Sequence, residues 1–365
     1  MFRSGALDLI GFNYHDDWFA GVPEKFPGKP FIVAESVSAL MTRGYYRMPS
    51  DETVICPERW DKPYFDDSFS CSSYDNCHVP WGNSHEGTMR HVKNNDFISG
   101  QYVWTGFDYL GEPTPYYTDW PSHSSLFGII DLAGIPKDRF YLYRSHWNKT
   151  ARTLHILPHW TWPGREGEVT PVFVYTNYPS AELFINGKSQ GKRTKDLSVE
   201  LDSSYTEAAQ KSFERQKRYR LMWMDTKYEP GTLKVVAYDK DGNAVAEEEV
   251  HTAGKPHHIE LTADRDRLKA DGKDLSFINV RVVDKNGNLC PDATHKVKFN
   301  VRGSGSYRAA ANGDPSSLES FQAPQMSLFK GQLTAVVQTE ETPGVIVFEA
   351  SAPGVKSAKI ELISE

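Results

Sequence analysis

Cysteine is scarce in this 365-residue chain, and the four present form no C-x-x-C pair: Cys56, Cys71, Cys77 and Cys290. A chain of this length needs no disulfide framework to hold a core. Cys71 and Cys77 stand beside His78, but the spacing matches no zinc pattern. They are read as ordinary loop residues, and no metal is expected. Long apolar runs are also lacking, which excludes a membrane-spanning helix. Met1-Phe2-Arg3-Ser4-Gly5 opens no apolar h-region, so no secretory signal is visible in the sequence. Basic charge is in deficit: 41 Lys and Arg against 48 Asp and Glu give a formal net charge of −7. That removes the electrostatic case for nucleic acid or an anionic membrane as partner.

Aromatic residues, by contrast, are plentiful at 13% of the chain. Many lie in Gly/Pro-rich loops such as "YVWTGFDYLGEPTPYYTDW", where ring faces can stack on ligands instead of filling a core. The first section mixes strands and helix. "LDLIGFNY" (residues 7–14) reads as a strand. "PFIVAES" (residues 30–36) reads as a second, its uninterrupted apolar run implying burial on both faces before Glu35 ends it. "NSHEGTMRHVKNND" reads as a helix capped by Asn83, with Glu86 three residues on in a capping-box arrangement. "FISGQYVWTGFDY" is a third strand, and the alternation implies parallel α/β packing.

Beyond about residue 152 helical patterning is nearly absent. "TPVFVYTN", "AELFINGKSQGK", "GTLKVVAYDKDGNAVAEEEV", "SFINVRVVDKNGN" and "KVKFNV" are short alternating strands. Asn186-Gly187, Asp241-Gly242 and Asn286-Gly287 are placed as tight hairpin turns. In the last strand Val297, Phe299 and Val301 share one face while Lys296, Lys298 and Asn300 share the other. Gly254-Lys255-Pro256 looks like a linker, so two antiparallel sandwiches of about a hundred residues each are expected. "SYTEAAQKSFERQKRYR" (residues 204–220) is helix-capable and reads as an insertion on the first.

"LDLIGFNYH", "PFIVAESVSALMTRGYY", "FISGQYVWTGFDYLGEPTPY", "LFGIIDLAGIPKDRFYLYRSHW" and "YTNYPSAELFINGKSQGK" together resemble the C-terminal part of family-2 glycoside hydrolases, the β-galactosidase and β-glucuronidase family. The multidomain β-galactosidases common in gut Bacteroidetes are the nearest in flavour. The resemblance covers essentially the whole chain. It implies a multidomain α/β plus all-β protein: residues 1–151 as the last three strands of a (β/α)₈ barrel, then immunoglobulin-like sandwiches at 152–253 and 256–365. It also implies a function. Glu35 matches the nucleophile of a retaining β-glycosidase, at the C-terminal end of a barrel strand where such enzymes place their chemistry. Tyr14 matches a tyrosine that hydrogen-bonds the nucleophile and orients it. Trp104 matches a tryptophan lining the subsite for the non-reducing sugar, and Asp108 and Glu112 follow where they can bond sugar hydroxyls. Some members carry a sugar-binding histidine three residues after the nucleophile; here that residue is Ser38, so the sugar contacts differ in detail.

One part of the family's machinery is missing. Its acid/base glutamate usually follows an asparagine, and no Asn-Glu pair occurs in these 365 residues. Asp8, Asp16, Asp17 and Glu24, the acids before Glu35, do not match it. A whole barrel takes about 250 residues, more than the section ahead of the sandwiches offers. The expectation is a C-terminal fragment, a truncated gene product or a misassigned start, inactive or nearly so alone. It would be completed by the N-terminal part of the same enzyme or by assembly into a homo-oligomer. The substrate implied is a terminal β-D-galactoside in an oligosaccharide or simple glycoside, with no cofactor. β-Glucuronidase and β-mannosidase activity stay open, as does a non-catalytic carbohydrate-binding or structural module, for which Tyr175 and Tyr178 offer the available aromatics. The family resemblance favours periplasmic or secreted location.

Overall fold

The computed structural model describes residues 5–48, 53–197 and 216–365, and they are mostly sheet. Three parallel strands, β1 (Ile10–Asn13), β2 (Phe31–Val37) and β6 (Ile98–Trp104), make an open sheet in the order β1-β2-β6. Ile10, Phe31 and Val33 point to one face and pack with Phe19 and Val22. Helix α2 (His85–Lys93), which follows the four-residue helix α1 (Val22–Lys25), brings Val92 to this cluster.

The expectation that β2 is buried on both faces does not hold. Its residues alternate, Phe31 and Val33 buried, Ile32 half-buried and Ala34 exposed. On the neighbouring strand Tyr102 is 66% exposed. An all-apolar run specifies two covered faces only where a second layer exists, and among the described residues none lies over this one. Nor do these strands close into a barrel.

The helix cap also differs from expectation. Ser84, not Asn83, is the N-cap, accepting the Gly87 N–H on its hydroxyl. Asn83 instead accepts the Ser84 N–H and donates to Asp16. Glu86 makes no capping box; it is buried and bonded to Arg220.

Between β2 and β6 a small sheet joins β3 (Ala39–Leu40), β5 (Cys77–His78) and β4 (Val54–Ile55). The register sets Val54 opposite Cys77 and Ile55 opposite His78, and Cys56, two positions beyond Val54, reaches diagonally to Cys77 in a disulfide. Reading the cysteines as ordinary loop residues is thereby corrected. Sequence spacing could not show it, because the bond depends on pairing of strands 21 residues apart.

Helix α3 (Asp138–Trp147) leads into the first sandwich. One sheet orders β10 (Lys188–Thr194), β9 (Ser180–Ile185), β12 (Thr232–Tyr238) and β13 (Ala244–His251); the other orders β11 (Leu221–Trp223), β8 (Val172–Thr176) and β7 (Leu154–Leu157). Trp160 and Trp223 are fully buried between them with Val172, Leu183 and Val235. The second sandwich faces β14 (His258–Ala263), β16 (Leu275–Val283), β20 (Gln332–Thr339) and β18 (Gly305–Ala311) against β15 (Arg267–Leu268), β22 (Ala358–Ser364), β21 (Gly344–Ser351), β17 (Lys296–Gly303) and β19 (Gln325–Ser327). Apart from the short parallel β15–β22 pairing, both are antiparallel. The 204–220 insertion lies mostly outside the described residues; residues 216–219 at its end are helical.

Of the three expected hairpin turns, one has the expected form. Asn186 and Gly187 both take positive φ, 49° and 80°, and join β9 to β10 in a two-residue turn. The other two are five-residue loops of one pattern, Asp-Lys-Asp/Asn-Gly-Asn. Asp239 Oδ1 accepts the N–H groups of Asp241 and Asn243, and Asp284 Oδ1 those of Asn286 and Asn288. The leading aspartate organises each loop from within, as Asx turns do.

Candidate active site

The site forms where β1, β2 and β6 end. Asn13 is opposite Glu35 in the parallel register, and the Tyr14 N–H donates to the Glu35 carbonyl at 2.8 Å. The chain then turns sharply on both strands through left-handed pairs: Tyr14 and His15 at φ 55° and 59°, Val37 and Ser38 at 76° and 54°. A β-branched residue such as Val37 rarely adopts this conformation, so surrounding structure must hold it. The hold is visible. The Asn83 N–H donates to the Val37 carbonyl at 2.7 Å, and the Val79 N–H donates to that of Ser38. Gly82 allows the approach, since a Cβ there would stand 2.2 Å from the Val37 oxygen.

These turns converge three side chains. Tyr14 Oη donates to Glu35 Oε2 at 3.0 Å and lies 2.7 Å from Ser38 Oγ. A phenol has one proton, so with that proton donated in the bond to Glu35 the fully buried Ser38 hydroxyl donates to Tyr14. Burial, foremost, pushes the Tyr14 hydroxyl well above the ordinary phenol range; the Ser38 bond opposes this and the Glu35 charge adds to it. Tyr14 is thus a lasting donor, and no hydrogen bond from the described residues engages the other Glu35 oxygen. Sequence reading marked Ser38 only as a departure and missed its hold on Tyr14.

On the β6 side Trp104 Nε1 donates to Tyr109 Oη at 3.2 Å, and the Tyr109 hydroxyl in turn donates to Glu112. The Trp104 and Tyr109 rings meet edge to face, centroids 5.8 Å apart. The Glu112 charge contributes to raising the Tyr14 hydroxyl, so the two groups of residues form one electrostatic neighbourhood. Tyr109, not singled out in the sequence, links Trp104 to Glu112. Asp108 does not join them. It is buried, ion-paired with Lys137 at 2.7 Å, and accepts the Gly128 N–H. Its carboxylate anchors the loop, and the expectation that it bonds a sugar hydroxyl is not supported.

Elsewhere, the sulfurs of Cys56, Cys71 and Cys77 lie within 4.8 Å of one another, but two of them are joined and burial pushes the Cys71 thiol up to about 12. Tyr175 is fully buried, and Tyr178 lies under the Arg152 guanidinium. Among the described residues no helix is long and apolar enough to cross a membrane.

Comparison with known proteins places this geometry in a family. Residues 259–361 match the model of glycoside hydrolase family 2 C-terminal domain 5, and residues 167–246 match a domain of unknown function (DUF4982). All of the chain aligns with 40% of β-galactosidase BoGH2A of Bacteroides ovatus at 50% identity. A putative β-glucuronidase of Formosa agariphila is 29% identical over 86% of the chain and 31% of its own length. The crystal structure of a β-glycosidase from Bacteroides vulgatus superposes on 98% of the chain and 45% of that protein, with a TM-score of 0.80 and 27% identity. The chain therefore spans less than half the length of these relatives. It belongs to glycoside hydrolase family 2, the family of β-galactosidases and β-glucuronidases.

Proposed function

We propose that this chain carries the nucleophile side of a retaining β-galactosidase, with Glu35 as the attacking carboxylate. The observation behind it is the Tyr14–Glu35 hydrogen bond at 3.0 Å, made at the end of the central parallel strand. A carboxylate with one oxygen held by a neutral donor keeps the other for the anomeric carbon, forming a covalent glycosyl-enzyme that water then hydrolyses. Tyr14 steadies the charge before attack and the ester carbonyl after it. On this reading β1, β2 and β6 are strands of a (β/α)₈ barrel within residues 1–151. Residues 152–253 and 256–365 are immunoglobulin-like accessory domains. Trp104 offers its face to the C–H side of the galactose ring, and Glu112 is a candidate for its hydroxyls.

A retaining mechanism needs a second carboxyl about 5–5.5 Å from the first to protonate the leaving oxygen. With no Asn-Glu pair in the sequence, that group comes from outside these 365 residues, from the rest of the same enzyme or another copy. A neutral galactoside fits better than a glucuronide because Asp17 and Glu112 set further acids near Tyr14 that repel a uronate. The 50% identity to a β-galactosidase supports the same choice. A purely carbohydrate-binding role for the sandwiches is disfavoured by the burial of Tyr175 and the Arg152 cover on Tyr178. The Cys56–Cys77 disulfide suits an oxidising location such as the periplasm.

The test bypasses the missing acid. 2,4-Dinitrophenyl 2-deoxy-2-fluoro-β-D-galactoside has a leaving group that departs without protonation, so the chain alone should be labelled slowly, on the peptide carrying Glu35. Glu35→Gln should abolish the label. Ordinary nitrophenyl β-galactoside should show no measurable turnover, general acid help being worth about 10²–10⁴-fold. Label on another carboxylate, or brisk turnover lost on Glu35→Gln, would overturn the nucleophile assignment or the need for an outside acid, respectively.

A further inference from the structure

A cavity of about 520 Å³ lies where the three parts of the chain meet. Its wall takes Arg43 and Tyr141 from the first region, His159 and Glu248 from the first sandwich, and Lys330 and Gln332 from the second. None of the lining residues belongs to β1, β2 or β6, or to the loops that carry Tyr14 and Glu112. The charges of this wall balance: Arg43, Arg281 and Lys330 stand against Asp138, Glu248 and Glu249. Most of them are engaged. Arg43 pairs with Asp131 and Arg281 with Glu260, while Tyr46 and His155 bond the two oxygens of Asp138. Glu249 is held by Lys234 and His251.

Two charges are not engaged. Among the described residues Lys330 makes no hydrogen bond or ion pair, only an approach of 5.9 Å to the Tyr45 and Phe329 rings. Burial pulls its ammonium below the ordinary lysine range, against the charge of Asp292. Its backbone takes a left-handed φ of 52°, a conformation that non-glycine residues keep only where the surroundings fix it. Glu248 bonds no side chain among the described residues either, and burial raises its carboxyl against the charge of His155. Neutral groups fill the rest of the wall. Burial, and then the Lys330 charge, push His159 down to about 3, so its imidazole is neutral. The Thr161 N–H donates to its Nδ1, which leaves the ring proton on Nε2. The Tyr141 ring is fixed, stacked on His155 at 3.7 Å between centroids.

A wall of balanced charge gives an ion of either sign no advantage. A hydroxyl group both donates and accepts, so a hydroxyl-rich ligand can engage Glu248 and Lys330 together through charge-assisted bonds. The C–H faces of a pyranose suit a fixed aromatic ring. The volume lies in the range of small-molecule sites and admits a disaccharide. We propose that this cavity is a second carbohydrate site, binding a neutral mono- or disaccharide at the junction of the three parts, apart from Glu35. It does not depend on the nucleophile. Because all three parts line it, a bound sugar also fastens the sandwiches to the first region.

Hydrogen–deuterium exchange of the 365-residue chain, read by mass spectrometry, locates the ligand. Lactose, cellobiose and maltose serve as probes, with sodium phosphate and free glycine as the ionic and zwitterionic controls. At least one disaccharide should slow exchange severalfold in peptides covering residues 135–141, 155–161, 248–251 and 330–332. Glu248→Gln and Lys330→Met should each weaken that binding about tenfold, the worth of one charge-assisted bond. Neither should shift the melting temperature of the free chain, since neither group holds a partner in it. Tyr141→Phe, a milder change that keeps the stacked ring, should weaken binding about threefold and decides the matter where another variant fails to fold. Protection confined to the peptides of Glu35 and Trp104, or no protection by any disaccharide, would overturn the proposal. So would protection spread evenly along the chain, as exclusion of sugar from the whole surface produces. Equal protection of the junction peptides by phosphate or glycine, or protection unchanged in Glu248→Gln and Lys330→Met, would overturn it as well. Failure of the fluorosugar to label Glu35, with junction protection intact, would remove the nucleophile and leave this site standing.

Discussion

Tyr14 shows what one side chain contributes and how little of that is written in its own position. As a residue at a strand end it reads as a rim aromatic; only the left-handed turn and Ser38 make it a donor aimed at Glu35. Hydrogen bonds to a charged partner are worth about 1.5–3 kcal/mol. Tyr14→Phe should therefore slow fluorosugar labelling of Glu35 by about ten- to a hundredfold. Ser38→Ala keeps Tyr14 in place but frees its hydroxyl to rotate, and should give a smaller loss in the same assay. Equal labelling by wild type and Tyr14→Phe would mean the hydrogen bond is incidental. Glu35 and Trp104 stood out in the sequence because a carboxylate and an indole at strand ends resemble a family signature, and their roles rest on the proposed mechanism. Asp108 looked the same in sequence and proved otherwise, because Lys137, 29 positions away, could not be foreseen as its partner.

At the scale of elements, alternation was the dependable signal. Val297, Phe299 and Val301 divide from Lys296, Lys298 and Asn300 as the pattern requires, because one face of β17 meets a core and the other meets water. The continuous run of β2 misled, since a run reports apolar residues and not whether both faces are covered. Turn chemistry was half legible: Asn-Gly gave the β9–β10 turn, whereas Asp-Gly and Asn-Gly preceded by an aspartate gave longer loops. That aspartate has a measurable consequence. Burial pushes the Asp284 carboxyl up, but the backbone N–H of Gly254 and the amides of Asn288 and Asn286 outweigh it and hold the group at about 2. A folded pKa below the unfolded value of about 3.9 means stability that is present above pH 4 and lost as pH falls toward 2. Asp284→Asn should lower the melting temperature at pH 6, and the gap to wild type should close as pH approaches 2. A gap independent of pH in calorimetry would show that shape, not charge, organises this loop and its tie to the linker at Gly254.

Across the whole molecule, two buried arginines tie the parallel-sheet region to the sandwiches and a third braces that region internally. Arg43 pairs with Asp131 at 2.6 Å and donates to the Asn312 carbonyl of the second sandwich. Arg139 pairs with Asp75 at 2.8 Å within the first region. Arg220, fully buried beside β11, bonds Glu86 of α2 and the Tyr74 carbonyl, and lies over the Phe173 and Tyr175 rings. Nothing in the sequence announces such partners, separated by 134 positions for Arg220 and Glu86 and by 269 for Arg43 and Asn312. The Arg220 pair explains how an open three-stranded sheet stays ordered against its neighbour, and it permits a sharp test. Removing one partner strands a buried charge, at a cost of about 3–5 kcal/mol, whereas replacing both with apolar side chains is close to neutral. Arg220→Met should therefore lower the urea midpoint strongly and separate unfolding of the first region from that of the first sandwich. Glu86→Leu combined with Arg220→Met should restore most of the loss and the single transition. Additive losses in that double-mutant cycle, followed by tryptophan fluorescence, would show that each residue contributes through its own packing and that the ion pair does not join the two regions.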